Sequence, residues 1–289
     1  MFERVAIVGV GLIGGSFGLG LRAAGQCRQV IGVGRSEANL KTALERGIID
    51  VVQTDVAKAA AAADLMLVAT PVAQFPRVFA EAARGLRPGA LLTDGGSTKR
   101  DVVAAARAAL GAKIAQFIPA HPIAGAEKSG AAAASADLFR GKRVVIAALP
   151  ENAPADVERV GAAWSACGAN LARMTPEEHD GVFAAVSHFP HLLAFGLVAD
   201  IAARANAKQL FGYAASGFRD FTRIASSDPE MWRDICVANR DRLLGEVDAY
   251  RKMLARMEEL LRRGDGEGLE ALFAEARDAR ERWLKGEYR

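Results

Sequence analysis

The segment Ile118–Gly130 reads IPAHPIAGAEKSG, and it holds His121 between Pro119 and Pro122 at the end of an apolar run. Imidazole takes up a proton near neutral pH, which is what oxidation of an alcohol to a carbonyl demands of a base. The prolines restrict the local backbone, so the ring is carried on a stiff stretch of chain. A lone histidine is more often structural than catalytic, and the other three of the four histidines bear on the choice. His179, His188 and His191 crowd into PEEHDGVFAAVSHFPH, beginning at Pro176. His188 and His191 stand at i and i+3, but Pro190 intervenes and no cysteine lies nearby, so no metal site is expected. These histidines read as polar groups lining a substrate cleft, with capping or core roles as the competing account.

Two further stretches offer chemistry. Asp94–Lys99 reads DGGSTK: Gly95 and Gly96 permit a sharp turn that leaves Ser97 poised as a hydroxyl donor or acceptor, with Lys99 close by. Ser97 would equally serve as N-cap of the helix that follows, and spacing leaves both open. Gly217–Ala225 reads GFRDFTRIA, in which Arg219 and Arg223 are four apart and could share a helical face for bidentate recognition of a carboxylate. A surface pair of Asp220 with Arg223, worth little, is the alternative.

A cofactor is suggested by Val8–Ser16, VGVGLIGGS, where Gly9, Gly11 and Gly14 form GxGxxG between a strand and a helix opening at Leu12 and Ile13. The three glycines suit, in turn, a tight turn, close approach of a pyrophosphate and tight helix–strand packing. The helix N-terminus adds free N–H groups and partial positive charge. The second strand ends in Gly34, Arg35 and Ser36 rather than in an acid. An NAD-type site places a carboxylate there for the ribose 2′-hydroxyl, whereas an arginine suits a 2′-phosphate, so NADP is favoured and NAD remains possible. Thr70 and Pro71, just past DLMLVAT, are placed to line the cofactor, although a strand-terminating proline explains them equally well.

Positioning these groups calls for an α/β fold. Runs at Arg4–Val8, Gln29–Val33, Asp64–Thr70, Ala90–Thr93, Ile114–Ile118 and Arg143–Ala147 alternate with helical stretches, as in a doubly wound parallel sheet covered on both faces. The polar, proline-bearing stretch near Pro150–Pro154 reads as a linker, giving a dinucleotide-binding domain at 1–150 and a helical domain at 151–289. In the latter, His191–Ala205 has the apolar girth of a buried helix, and Leu243, Val247, Tyr250, Leu254, Met257 and Leu261 repeat at helical spacing. The chain has 289 residues, 51% of them hydrophobic, a net charge of +3 and three scattered cysteines. These values suit a globular protein with reduced thiols in the cytoplasm, and no nucleic-acid or membrane partner is expected. The first strand begins by Arg4, so no presequence is expected.

Taken together, GVGLIGGS, DGGSTK, HPIAGAEKSG, EEHD, SHFPH and FRDFTRIASSDPEMWRD resemble, in order and across most of the chain, the prephenate/arogenate dehydrogenase family of tyrosine biosynthesis. The resemblance implies a Rossmann-type domain joined to a helical domain that forms a homodimer. It implies oxidation of prephenate to 4-hydroxyphenylpyruvate, or of arogenate to tyrosine, with loss of carbon dioxide and hydride transfer to a nicotinamide. By position, His121 matches the catalytic histidine, Ser97 the serine that orients it, and Arg223 the arginine holding a substrate carboxylate. His179, His191 and Ser187 match polar pocket positions, and Glu127 an acidic residue near the entrance. Neither an N-terminal chorismate mutase segment nor an added regulatory domain is expected. A β-hydroxyacid dehydrogenase would leave HPIAG and FRDFTRIA unexplained, and a silent NADP sensor would not need Ser97, His121 and Arg223.

Overall fold

The computed structural model describes residues 1–125 and 129–288. Six strands, β1 (Phe2–Val8), β2 (Cys27–Val33), β3 (Val51–Gln53), β4 (Leu65–Val68), β5 (Leu91–Asp94) and β6 (Phe117–Ile118), form one sheet in the order β3-β2-β1-β4-β5-β6. Every pairing is parallel. The alternation of side chains splits each central strand between two cores. Val5 and Ile7 of β1, with Leu65 and Leu67 of β4, join one apolar cluster, while Ala6, Val8, Met66 and Val68 join the other. The first cluster is covered by α1 (Leu12–Ala23) and α2 (Glu37–Glu45), the second by α3 (Val56–Ala62), α4 (Phe75–Gly85) and α5 (Arg100–Leu110). Burying both faces is what makes these strands near-continuous in Val, Ile and Leu.

At Pro119 the chain leaves this sheet. Proline has no N–H for a ladder, and the Pro119 carbonyl instead accepts from Ala147 N (2.9 Å). The next strand, β7 (Ala120–Pro122), pairs antiparallel with β8 (Arg143–Ile146), which pairs parallel with β9 (Asn170–Arg173). His121 therefore sits in a second, three-stranded sheet, three residues past the end of β6, rather than on the parallel strand itself. The expected strand Ile114–Ile118 is shorter than its apolar run, because Gly111–Gln116 winds as 3-10 helix.

The structure continues the N-terminal framework past residue 150. Helix α6 (Pro154–Ala166) contributes Val157, Val160 and Trp164 to the first core, where Trp164 packs against Phe17 of α1 (centroids 4.5 Å apart) and against Phe139 (5.2 Å). The linker-like prolines proved to open a helix: Pro154 is its first residue, where a missing N–H costs nothing.

By compactness the chain separates into Met1–Arg240 and Asp241–Arg289, a division that coincides with no linker composition. In the first unit α7 (Pro176–Phe183), a π-turn (Ala184–His188) and α8 (Phe189–Ala202) run on as one helical stretch, followed by α9 (Ala207–Gly212), α10 (Ser216–Thr222) and α11 (Pro229–Ala238). The second unit consists of most of α12 (Arg240–Arg263), and of α13 (Gly266–Leu284), which is N-capped by Asp265. Helix α8 is not the buried helix its composition suggests: only Phe189 and Ala194 are buried. The run Pro176–Ala202, 27 residues, is long and apolar enough to cross a membrane by length and composition alone. It nevertheless carries His179, Asp180 and His188 buried in protein, and an uncovered apolar surface of this size calls for a partner surface. The stripe on α12 is similarly open, with Leu243 alone buried and Leu254 and Leu261 exposed.

Because Trp164 is completely enclosed by groups from α1 and the 139 region, Trp164→Ala should cost about 3–5 kcal/mol in urea unfolding of the chain. A loss below about 1 kcal/mol would show that α6 is not part of that core.

Candidate active site

The glycine-rich turn is built as a dinucleotide cradle. Gly9 has φ +96°, and a Cβ there would stand 2.4 Å from the Ala69 carbonyl oxygen. At Gly14 a Cβ would fall 2.2 Å from the Gly9 oxygen, so α1 packs directly on its own strand. Gly11 is the N-cap of α1, with no side-chain cap, no acid in the first turn and open space where its Cβ would be. Leu12 and Ile13 form the first turn, half-buried. Beside it, Thr70 Oγ1 is buried without a hydrogen-bond partner among the described residues, and Pro71 opens a 3-10 turn. An uncapped helix N-terminus, free of acid and next to an unsatisfied hydroxyl, fits a pyrophosphate. Ser36 N-caps α2, its Oγ accepting from Asn39 N at 3.3 Å, while Arg35 is exposed just beyond β2.

Three sequence motifs meet at Gly95. A Cβ on it would lie 3.1 Å from Ile13 Cγ2 and 3.8 Å from Pro122 Cδ, so the cradle, the DGGSTK turn and the histidine segment adjoin. Behind them Asp94, completely buried at the end of β5, accepts hydrogen bonds from Gly96 N (2.8 Å), Ala120 N (2.9 Å) and Lys99 Nζ. Burial, the largest effect, pushes its pKa up, against the pull of Lys99 and the two amides. Lys99 is fully buried with it. Ser97 is half-buried in this turn but does not cap α5, whose N-cap is Lys99. The cap comes from another helix: Asp180 of α7 accepts from Lys99 N (2.8 Å) and Arg100 N (2.9 Å).

Asp180 also meets His179 Nδ1 at 2.8 Å, and His179 Nε2 meets His121 Nδ1 at 2.8 Å. Phe183, one turn on, flanks both rings, with centroids 5.1 Å from His121 and 4.5 Å from His179. Burial holds the His121 pKa well below its usual value, and His179, Lys99 and His188 push the same way. The His179 pKa is also lowered, chiefly by burial, against the pull of Asp180. The arrangement offers a neutral imidazole, fixed in orientation, beside a dinucleotide cradle.

The other predicted residues lie on the helical side. Pro190 would clash with the carbonyl four residues back in a regular helix; the π-turn Ala184–His188 precedes it and carries Ser187 and His188. His188 is buried against the Ser97 backbone, with Asn239 Nδ2 3.1 Å from its Nδ1. His191 Nδ1 donates to the Ser187 carbonyl (2.9 Å), and its ring stacks on Trp232 at 3.5 Å. Arg223 is exposed and near enough to lower the His191 pKa, behind the larger effect of burial. Helix α10 ends at Thr222 and Arg223 starts a 3-10 turn, so Arg219, also exposed, and Arg223 do not share one α-helical face. Glu127 lies outside the described residues. Asp180, the Asp94–Lys99 pair, Asn239 and Trp232 were not singled out by sequence as site residues; adjacency to His179 in EEHD was the available signal for Asp180, and none marked Asn239.

Burial lowers the His188 pKa to about 4, so the folded chain binds this proton less readily than the unfolded chain. Stability should hold above pH 6.5 and decline as pH falls, by roughly 3 kcal/mol from this group by pH 4. Urea midpoints between pH 7.5 and 4 check this, and His188→Asn should flatten the decline.

Residues 17–173 match the family model for the prephenate dehydrogenase nucleotide-binding domain, and residues 175–275 that for its dimerization domain. The chain is 36% identical to a prephenate dehydrogenase of Bacillus subtilis over 97% of its length and 76% of the relative's. It is 30% identical to a cyclohexadienyl dehydrogenase of Zymomonas mobilis, covering 97% and 96% of the two chains. The crystal structure of prephenate dehydrogenase from A. aeolicus in complex with hydroxyphenyl propionate and NAD+ superposes with a TM-score of 0.90 at 34% identity, covering 97% and 98%. With both halves of the fold matched in order and nearly the whole chain aligned, the protein belongs to the prephenate dehydrogenase family.

Proposed function

We propose that the chain converts prephenate to 4-hydroxyphenylpyruvate, with His121 as acceptor of the proton from the ring hydroxyl. The meeting of Ile13, Gly95 and Pro122 carries this reading, because it sets His121 next to the dinucleotide cradle. The bound nicotinamide supplies the hydride acceptor. Departure of the ring carboxylate as carbon dioxide and loss of hydride both lead to an aromatic phenol, so the protein has mainly to position and deprotonate. A neutral imidazole at His121 takes the hydroxyl proton as hydride and carbon dioxide leave and returns it to the phenolate oxygen of the aromatic product. Ser97 orients that hydroxyl, and Phe183 shields the ring edge from water. Arg223 anchors a carboxylate, assisted by Arg219, with His191 and Ser187 completing the polar wall. The hydroxyphenyl propionate and NAD+ held by the A. aeolicus enzyme match the ring and cofactor class expected here. Arogenate, which differs in the side chain, is the second substrate reading, favoured by the cyclohexadienyl dehydrogenase relative. The enzyme is read as a cytoplasmic homodimer whose exposed α8 surface is covered by a second copy, in keeping with the matched dimerization domain.

For the cofactor we propose NADP, on the acid-free end of β2 and the exposed Arg35 following it. NAD is the competing reading, favoured by the A. aeolicus complex.

A steady-state matrix of prephenate and arogenate against NAD and NADP tests the assignment. His121→Asn should abolish turnover and leave cofactor affinity nearly intact; full activity in that variant would remove the proton-acceptor role. The acid limb of kcat/KM should fall below pH 6.5, because the base stays unprotonated down to its lowered pKa. Arg35→Ala should raise the KM for NADP more than that for NAD, and equal changes would return the preference to NAD.

A further inference from the structure

We propose that Asp180 is a positioning residue which, acting through His179, fixes the tautomer of His121 and leaves His121 Nε2 bare to receive the substrate proton. The inference rests on His121 being the proton acceptor. Asp180 has both oxygens committed: Oδ1 accepts from Lys99 N and faces His179 Nδ1, each at 2.8 Å, and Oδ2 accepts from Arg100 N at 2.9 Å. An ionised carboxylate only accepts. Burial would raise the Asp180 pKa, but hydrogen bonds from His179 and from the backbone of Arg100 and Lys99 outweigh it, so the group is ionised at neutral pH. The proton between Asp180 and His179 therefore sits on His179 Nδ1.

The rest follows by elimination. His179 is completely buried and neutral, so a proton on Nδ1 leaves its Nε2 as an acceptor. The 2.8 Å contact between that nitrogen and His121 Nδ1 then requires the hydrogen to be on His121. A neutral His121 with a proton on Nδ1 has a free lone pair on Nε2. The opposite arrangement would put the proton on His121 Nε2 and make it a donor, useless as a base. The groups facing His121 are His179 and Phe183 from α7, Lys99 at the start of α5, and His188 from the π-turn. None of these is an acid, so the carboxylate reaches His121 only through the intervening imidazole.

The anchor at the far end is the first turn of α5. Two of its amides point at Asp180, and the positive end of the helix favours the ionised carboxylate. Asn239 adds a second restraint, its Nδ2 donating to the Asp180 carbonyl at 2.8 Å. The carboxylate is thus held without relying on His179, which is what an orienting group requires.

The test uses the full chain with oxidised cofactor bound. Asp180→Asn removes one acceptor oxygen and should lower kcat by about 10- to 100-fold, as loss of a group that orients a functional histidine does, without changing cofactor affinity. Imidazole 15N NMR should show the His121 proton on Nδ1 in the parent protein and partly on Nε2 in the variant. An Asp180→Asn enzyme with unchanged kcat, or with His121 still protonated only on Nδ1, overturns the proposal. Should that variant fail to fold, His179 provides the second arm. Gln accepts from His121 and donates to Asp180, so His179→Gln should remain at least about tenfold more active than His179→Ala. Equal activities overturn the proposal. The His121→Asn result separates the two readings: a fully active His121→Asn removes the base itself, whereas an inactive one beside an active Asp180→Asn removes only the relay.

Discussion

A single buried carboxylate holds the two sheets together at the site. Asp94 ends β5, and its three hydrogen bonds reach the DGGSTK turn, the buried Lys99 ammonium and the amide of Ala120 at the entry to β7. A carboxylate removed from water is tolerated only when its lone pairs are filled, and here two backbone amides and a buried cation do so. In return, the strand carrying His121 is tied to the end of the parallel sheet. That edge is also where the glycine-rich cradle opens, so one interaction brings the His121 segment and the cradle into one neighbourhood.

Electrostatics within the site follow from burial more than from charge. All four histidines have lowered pKa values, with burial the leading cause in each. The site keeps its imidazoles neutral and leaves positive charge to exposed arginines on the helical side. The division is chemically sensible. Arg219 and Arg223 stand exposed, where a cation keeps its charge at little cost, while the His121 ring packs against His179 and Phe183 and is held neutral by burial.

Local patterns made much of this readable. GxGxxG between a strand and a helix, the alternation of apolar strands with helices, and the proline-bracketed histidine each follow from short-range rules, and the parallel sheet formed as expected. What depended on distant contacts was not readable. The three-stranded sheet could not be foreseen, because β7 and β8 are short and their pairing is set by where Pro119 turns the chain. The capping of α5 by Asp180, 81 residues from Lys99, has no local signature, and DGGSTK pointed to Ser97 instead. The apolar girth of α8 was legible, but apolar composition is the same whether a helix is covered by its own chain or by another.

The π-turn at Ala184–His188 carries a consequence for how the family can vary. A π-turn is an α-helix with one residue too many, so deleting any single residue there would restore an unbroken α-helical ladder. The helix would gain regularity, yet everything on one side would rotate by about 100° relative to the other. His188 would swing off Asn239, or His191 off Trp232. Chain length at this point is therefore constrained for a reason independent of residue identity: substitutions between 184 and 188 test side chains one at a time, whereas a deletion changes the phase between the two histidines.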